Sequence, residues 1–217
     1  MSASQDTAAR FRSDIAALPK RDTPNLRALR KSWSQALKAE SGAHVIAIAE
    51  ALEAVSPQEG KWLAYELIRH HKAAFAEVSP LVIERFVERA ASWYAVDALG
   101  TILTGALWAS GRLSDATVDA WSRSDGRWLR RSSLVATVGR NAVKPDPERT
   151  FAICLRLADD RDDMVEKAVS WALRWLAQKD RGAVEAFLAE HGERFRPRVR
   201  REVGRKLATG LKTPRRR

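Results

Sequence analysis

An all-α fold is what this sequence predicts, and three observations carry the prediction. Apolar residues recur at three- and four-residue spacing almost throughout, and β-branched runs are rare. Helix-start signals return every 34 to 36 residues: after Ser56-Pro57, near Ala91-Ser92, after Ser124-Asp125 and after Arg161-Asp162. Each of these helices is preceded by a shorter one, so the recurring unit is a helical pair. Such a pair buries its apolar face only by stacking on its neighbours, as in HEAT, armadillo or TPR arrays. No TPR consensus is visible, which leaves a HEAT-like α-solenoid. One curved domain is expected over residues 1–210, followed by an unstructured basic tail at 211–217.

A first helix covers residues 4–18 and stops at Pro19, whose missing N–H cannot continue the ladder. Thr23 followed by Pro24 reads as an N-cap and a first-turn proline, opening a helix to about Lys38. Further helices are expected over 43–55, 57–71, 80–90, 92–109, 114–122, 126–139, 147–158, 163–178, 180–190 and 197–208. The segment GRWLRRSSLVATV (126–138) aligns with DMVEKAVSWALRWL (163–176) at an offset of 36, pairing Trp128 with Met164, Leu129 with Val165 and Arg131 with Lys167. Equivalent positions of successive repeats line up on one surface. Arg131 and Lys167 are therefore expected side by side on the concave face, in a basic groove.

The 217 residues are 45% hydrophobic and include eight Trp, enough for a substantial core, which excludes wholesale disorder. Cys154 is the only cysteine, so there is no intrachain disulfide and no Cys/His cluster for zinc. It reads as a small core residue in a reducing compartment. His44, His70, His71 and His191 follow no metal-binding spacing, and His70-His71 reads as a helix end where imidazoles cap carbonyls. No Walker loop, GxSxG elbow or dinucleotide fingerprint is present, and no metal or organic cofactor is expected. Asp6, Arg10, Arg12 and Asp14 stand where a signal peptide needs an apolar stretch, and the run from Ala43 to Val55 is too short and too charged to cross a bilayer. These features lead to the expectation of a monomeric, cytoplasmic bacterial protein with no membrane partner.

Lys and Arg number 38 against 27 Asp and Glu, a formal net charge of +11. Residues 1–38 hold eight basic and three acidic side chains, 39–120 six and eleven, 121–149 seven and three, 150–193 six and nine, and 194–217 eleven and one. Basic charge thus gathers at the start, in one central segment and in the tail. That distribution suits a polyanion laid along one side of the molecule, although a merely solvated basic surface would share it. Arg198, Arg201 and Arg205, on the last expected helix, would extend a phosphate track.

Three pairs could carry chemistry. Trp93 and Asp97 are four apart, Trp128 and Arg131 three apart, and Trp171 and Arg174 three apart, so each pair shares one helix face. Tryptophan at helical spacing is more often core than site. Asp97, between Val96 and the pair Ala98-Leu99, must either find a partner, an arginine being the plain choice, or line a cleft.

The stretches SWYAVD (92–97), RWLRRSSLV (127–135) and VEKAVSWALRWLA (165–177), in this order and at these separations, resemble the DNA alkylation repair family of HEAT-like-repeat glycosylases, the AlkD type. DTPNLRALRKSW (22–33) resembles the family's N-terminal repeat, so the likeness runs over roughly residues 5 to 210. The resemblance implies a DNA glycosylase that removes alkylated purines such as 3-methyladenine and 7-methylguanine from double-stranded DNA, without base flipping. On the matching positions it implies Asp97 as the catalytic carboxylate, Trp93 and Trp171 as aromatic walls and Arg131 as a DNA-backbone ligand. Arg174 falls where the family also keeps a basic residue, and Trp128, Arg130 and Lys167 complete the expected DNA-binding set. Tyr94 and Ala95 depart from the family pattern, where relatives often carry a second Trp and an additional acid, a difference that bears on lesion preference. Two other classes compete with this reading. A non-catalytic relative binding branched or damaged DNA would have no use for a carboxylate facing phosphates, which is what Asp97 would be. A protein-binding HEAT scaffold would show an apolar or acidic face, against which Arg130, Arg131 and Lys167 stand.

Overall fold

A computed structural model describes residues 2–56 and 58–212. They form fourteen α-helices: α1 Ala3–Ala17, α2 Thr23–Ala36, α3 Gly42–Val55, α4 Gln58–His70, α5 Lys72–Glu77, α6 Pro80–Glu88, α7 Trp93–Leu99, α8 Gly105–Ala109, α9 Asp115–Ser122, α10 Arg127–Val143, α11 Pro147–Arg156, α12 Asp163–Leu176, α13 Arg181–His191 and α14 Pro197–Thr209. A π turn, Gly100–Thr104, joins α7 to α8, and a 3₁₀ turn, Gly192–Arg194, follows α13. No strand occurs among the described residues. The fold is all-α and HEAT-like, as expected. Pro57, the expected start of the fourth helix, and residues 213–217 of the expected tail lie outside the described residues. At the described start of that tail, the Leu211 N–H bonds to the Thr209 hydroxyl and Lys212 Nζ lies 4.0 Å from Glu202.

Most helix starts are capped by a side chain that accepts a backbone N–H, from Ser2, Asp22, Ser41, Ser114, Asp146, Asp162 and Asp180. The cap of α2 is Asp22 rather than Thr23, and it accepts the Asn25 N–H at 3.2 Å. A carboxylate is the stronger acceptor and complements the positive end of the helix. Helix α5 was not expected. His71 opens it by accepting the Ala74 N–H through Nδ1 at 3.1 Å, whereas His70 pairs with Glu66, so neither imidazole caps carbonyls as the sequence had implied. The helix expected over 92–109 is interrupted by the π turn, whose extra residue breaks the 3.6-residue register of the helix at Gly100–Thr104.

The chain gathers into two compact units, Met1–Leu103 and Thr104–Arg217. In the first, α1, α3, α5 and α6 form one layer and α2, α4 and α7 a second, around a core containing Leu63, Tyr65, Phe86 and Leu99. In the second, α9, α11 and α13 form one layer, and α8, α10, α12 and α14 pack successively in the other over Leu134, Val138, Val169 and Leu173. Within each unit, ion pairs link residues one repeat apart: Glu50 to Arg85, Glu53 to Arg89 and Arg30 to Glu66 in the first, Asp115 to Arg149, Arg127 to Asp162 and Asp163 to Arg198 in the second. The period read from helix starts thus returns as a ladder of staples between neighbouring repeats. Cys154 is fully buried, and burial pushes its thiol up.

One glycine is required by close approach. A Cβ on Gly105 would lie 2.4 Å from the backbone nitrogen of Arg140 and the carbonyl carbon of Gly139, so α8 and α10 touch through their main chains. Backbone cannot swing aside as a side-chain end can. Gly105→Ala is expected to lower stability by about 1–3 kcal/mol, read as a lower urea midpoint at unchanged slope. An unaltered midpoint would mean that the two helices part freely.

Candidate functional site

Helix α7 buries Ala95, Val96 and Leu99, with Trp93 exposed and Asp97 half-buried on its other side, and Thr101 is exposed in the π turn that follows. Trp93 is 51% exposed, with Tyr94 edge-on to it at 6.2 Å between ring centroids. An indole left in water forgoes a large burial energy, which marks the position as serving something other than the core. Asp97 is half-buried one turn further on. Thr101 Oγ1 donates to the Asp97 carbonyl at 2.7 Å, where the helix widens into the π turn.

The neighbouring helices of this layer present a mixed surface. On α4, Trp62 is half-buried and Glu66 lies 3.1 Å from His70 Nε2 and 3.4 Å from Arg30 Nε. Burial, and then the charge of Arg30, pulls His70 below the usual imidazole range. On α2, Leu26 and Trp33 face the core, and Arg27 and Lys31 lie on the exposed side with no carboxylate partner among the described residues. Sequence reasoning passed over both cations. The signal for them was the apolar period of α2 itself, which sets Leu26, Trp33 and Leu37 on one side and Arg27 and Lys31 on the other.

The eight tryptophans divide by exposure. Trp33, Trp108 and Trp121 are buried, whereas Trp62, Trp93, Trp128, Trp171 and Trp175 are not, and these five stand on α4, α7, α10 and α12. Within the second unit, Trp171 is half-buried on α12, and Trp128 lies under the Arg127 guanidinium at 5.0 Å. The Trp175 indole N–H is buried with no acceptor among the described residues.

The arginines expected to hold DNA are in large part engaged elsewhere. Arg131 is only 5% exposed and donates to the Met164 carbonyl in the first turn of α12, so it does not stand beside Lys167 on an open face. Lys167 is exposed and pairs with Asp163 at 2.6 Å, and that hydrogen bond, followed by the one from Arg198, holds Asp163 down to about 2. The cause lies in the register. Burial matches Leu134 with Val169, Val138 with Leu173 and Asn141 with Leu176, an offset of 35 rather than 36. Arg131 then corresponds to Glu166, and each reaches the next helix or its cap, Glu166 toward Arg198 of α14 and Arg196 just before it.

Arg130 bonds to Asp160 at 2.6 Å and to the carbonyls of Ser124 and Asp125, which ties the start of α10 to the loop before α12. Arg174 donates to the Ser170 hydroxyl at 3.1 Å beside Glu202, and burial lowers its pKa. Arg198 pairs with Asp163 and Glu166. As folded, Arg130, Arg131, Arg174 and Arg198 act as clamps within the protein. Arg201 on α14 is exposed, and Arg205, one turn on, donates to the Lys212 carbonyl at 3.4 Å.

A protein-family model described as DNA alkylation repair enzyme matches residues 21–207. The chain belongs to this family. The DNA alkylation repair match begins at Arg21 and ends within α14, so it takes in every helix from α2 onward, while α1 precedes it. No curated protein matches the sequence. Among the described residues, no group of three or more His, Cys, Asp or Glu is placed to hold a metal ion, and no helix is long and apolar enough to cross a membrane.

Proposed function

We propose that this member of the DNA alkylation repair family excises alkylated purines, among them 3-methyladenine and 7-methylguanine, from double-stranded DNA by hydrolysing the N-glycosidic bond. The observation that carries the reading is the exposed Trp93 one turn from the carboxylate of Asp97, on a helix whose other side is core. Methylation at N3 or N7 makes the purine cationic, so the departing base accepts the bonding electron pair and leaves neutral. The sugar becomes oxocarbenium-like. Water oriented by the Asp97 carboxylate adds to C1′ and passes its proton to that carboxylate, which returns it to solvent, and the carboxylate's negative charge stabilises the developing cation. The face of Trp93, on the same helix as Asp97, attracts the positive nucleotide through the ring quadrupole. The lesion is read within the duplex through sugar and phosphate, without being flipped out.

In this reading the first unit offers phosphates Arg27 and Lys31 on α2, exposed cations with no carboxylate partner among the described residues. The test of the function is release of 7-methylguanine from methylated duplex DNA by the purified protein. No release with DNA binding intact would favour a non-catalytic DNA-binding role. For the surface, the Arg27→Ala/Lys31→Ala double variant is expected to flatten the slope of log K against log salt by about 0.9 for each phosphate it no longer neutralises. An unchanged slope would take α2 out of the interface.

A further inference from the structure

We propose that Thr101 is a positioning residue for Asp97, acting through the backbone at the point where the helix is irregular. The inference rests on the excision reading above. In a regular α-helix the carbonyl of residue 97 would be held by the N–H four residues on. Here the π turn starts at Gly100, whose own N–H points to the carbonyls of both Val96 and Asp97. The Asp97 carbonyl thus shares the Gly100 N–H with that of Val96, just before the helix widens. Thr101 Oγ1 supplies a donor at this place, 2.7 Å from the Asp97 carbonyl and 3.3 Å from that of Ala98.

Thr101 is exposed, so water could satisfy its hydroxyl without any internal bond. Thr back-bonding to a carbonyl four residues earlier is common and bends helices slightly. At most positions such a bend has no functional reader. Next to a carboxylate that must meet C1′, it sets the direction of the Cα–Cβ bond and so the place of the charge. The branched Thr side chain narrows the choice of rotamer and keeps the hydroxyl aimed at the carbonyl. π turns of this kind are frequent at functional sites, where an extra residue re-aims side chains on the helix face. A reacting group displaced by about 1 Å loses on the order of a hundredfold in rate. Loss of one orienting bond should give a smaller displacement.

The experiment compares full-length wild type, Thr101→Val and Thr101→Ser in single-turnover release of 7-methylguanine from methylated duplex, alongside affinity for undamaged duplex and the thermal midpoint. Val keeps the branched shape and removes the donor, whereas Ser keeps the donor. The expected result is release slowed roughly tenfold in Thr101→Val, a fraction of the loss caused by a 1 Å displacement. Thr101→Ser should stay near the wild-type rate, with affinity and midpoint alike in all three. Wild-type release by Thr101→Val, equal loss in both variants, or a loss that follows a lowered midpoint would each overturn the role of Thr101 while leaving the excision reading intact. Absence of release by the wild type would instead overturn the excision reading and this role with it.

Discussion

Asp97→Asn is expected to slow release of 7-methylguanine from methylated duplex by about a hundred- to a thousandfold, with affinity for the DNA retained. The magnitude follows from what one preorganised electrostatic group contributes in a protein site, about 2.7–4 kcal/mol of transition-state stabilisation. Asn keeps the size and the hydrogen-bonding edge of the side chain but not the charge, so it separates electrostatics from shape. Retained affinity follows because removing a negative charge from a surface that faces phosphates does not weaken their binding. Equal release by variant and wild type would remove Asp97 from the mechanism. A parallel fall in rate and affinity would recast Asp97 as a binding residue.

Glu53→Ala is expected to cost about 3–5 kcal/mol of stability, nearer the lower figure. Glu53 is completely buried, and its carboxylate holds Lys61 at 2.5 Å and Arg89 at 2.7 Å, joining α3, α4 and the end of α6. The side chains of Lys61 and Arg89 remain 16% and 34% exposed, so water can recover part of their solvation once the carboxylate is gone. The Tyr65 phenol is buried without a hydrogen-bond partner among the described residues, and burial together with the Glu53 charge raises its pKa. A second variant separates the ion pairs from packing. Replacing Glu53, Lys61 and Arg89 together by Met should recover most of the loss, since an apolar trio of similar volume needs no counter-charge. Urea unfolding measures both variants, and a loss below about 1 kcal/mol in Glu53→Ala would show that the triad is not the junction of these helices.

Local features of the site were legible without coordinates because they depend on one helix at a time. Trp93 and Asp97 share a side of α7 through their four-residue spacing alone, and the apolar neighbours Val96 and Leu99 fix which side is core. The π turn was not legible. Gly100 to Thr104 reads as ordinary helix, because nothing in the residue types there marks an inserted residue. The alignment of Arg131 with Lys167 failed for a related reason. It matched residue types at 36, while packing between α10 and α12 chose 35, and a one-residue slip turns a helical position by about 100°.

What the amino-acid order settled by itself is the helical class, the repeat length and the carboxylate beside an indole, all of which follow from periodicity within about 40 residues. What required the tertiary structure is the availability of charge. Arg130, Arg131, Arg174 and Arg198 and the exposed Arg27 and Lys31 are all cations in the sequence, yet the first four meet acceptors on a neighbouring element, on their own helix or in an adjoining loop, while the last two meet none among the described residues. Whether a guanidinium is free to meet a phosphate is decided by the acceptors that folding brings within about 3 Å, and for Arg130, Arg131 and Arg198 these include groups some 30 to 35 residues away along the chain.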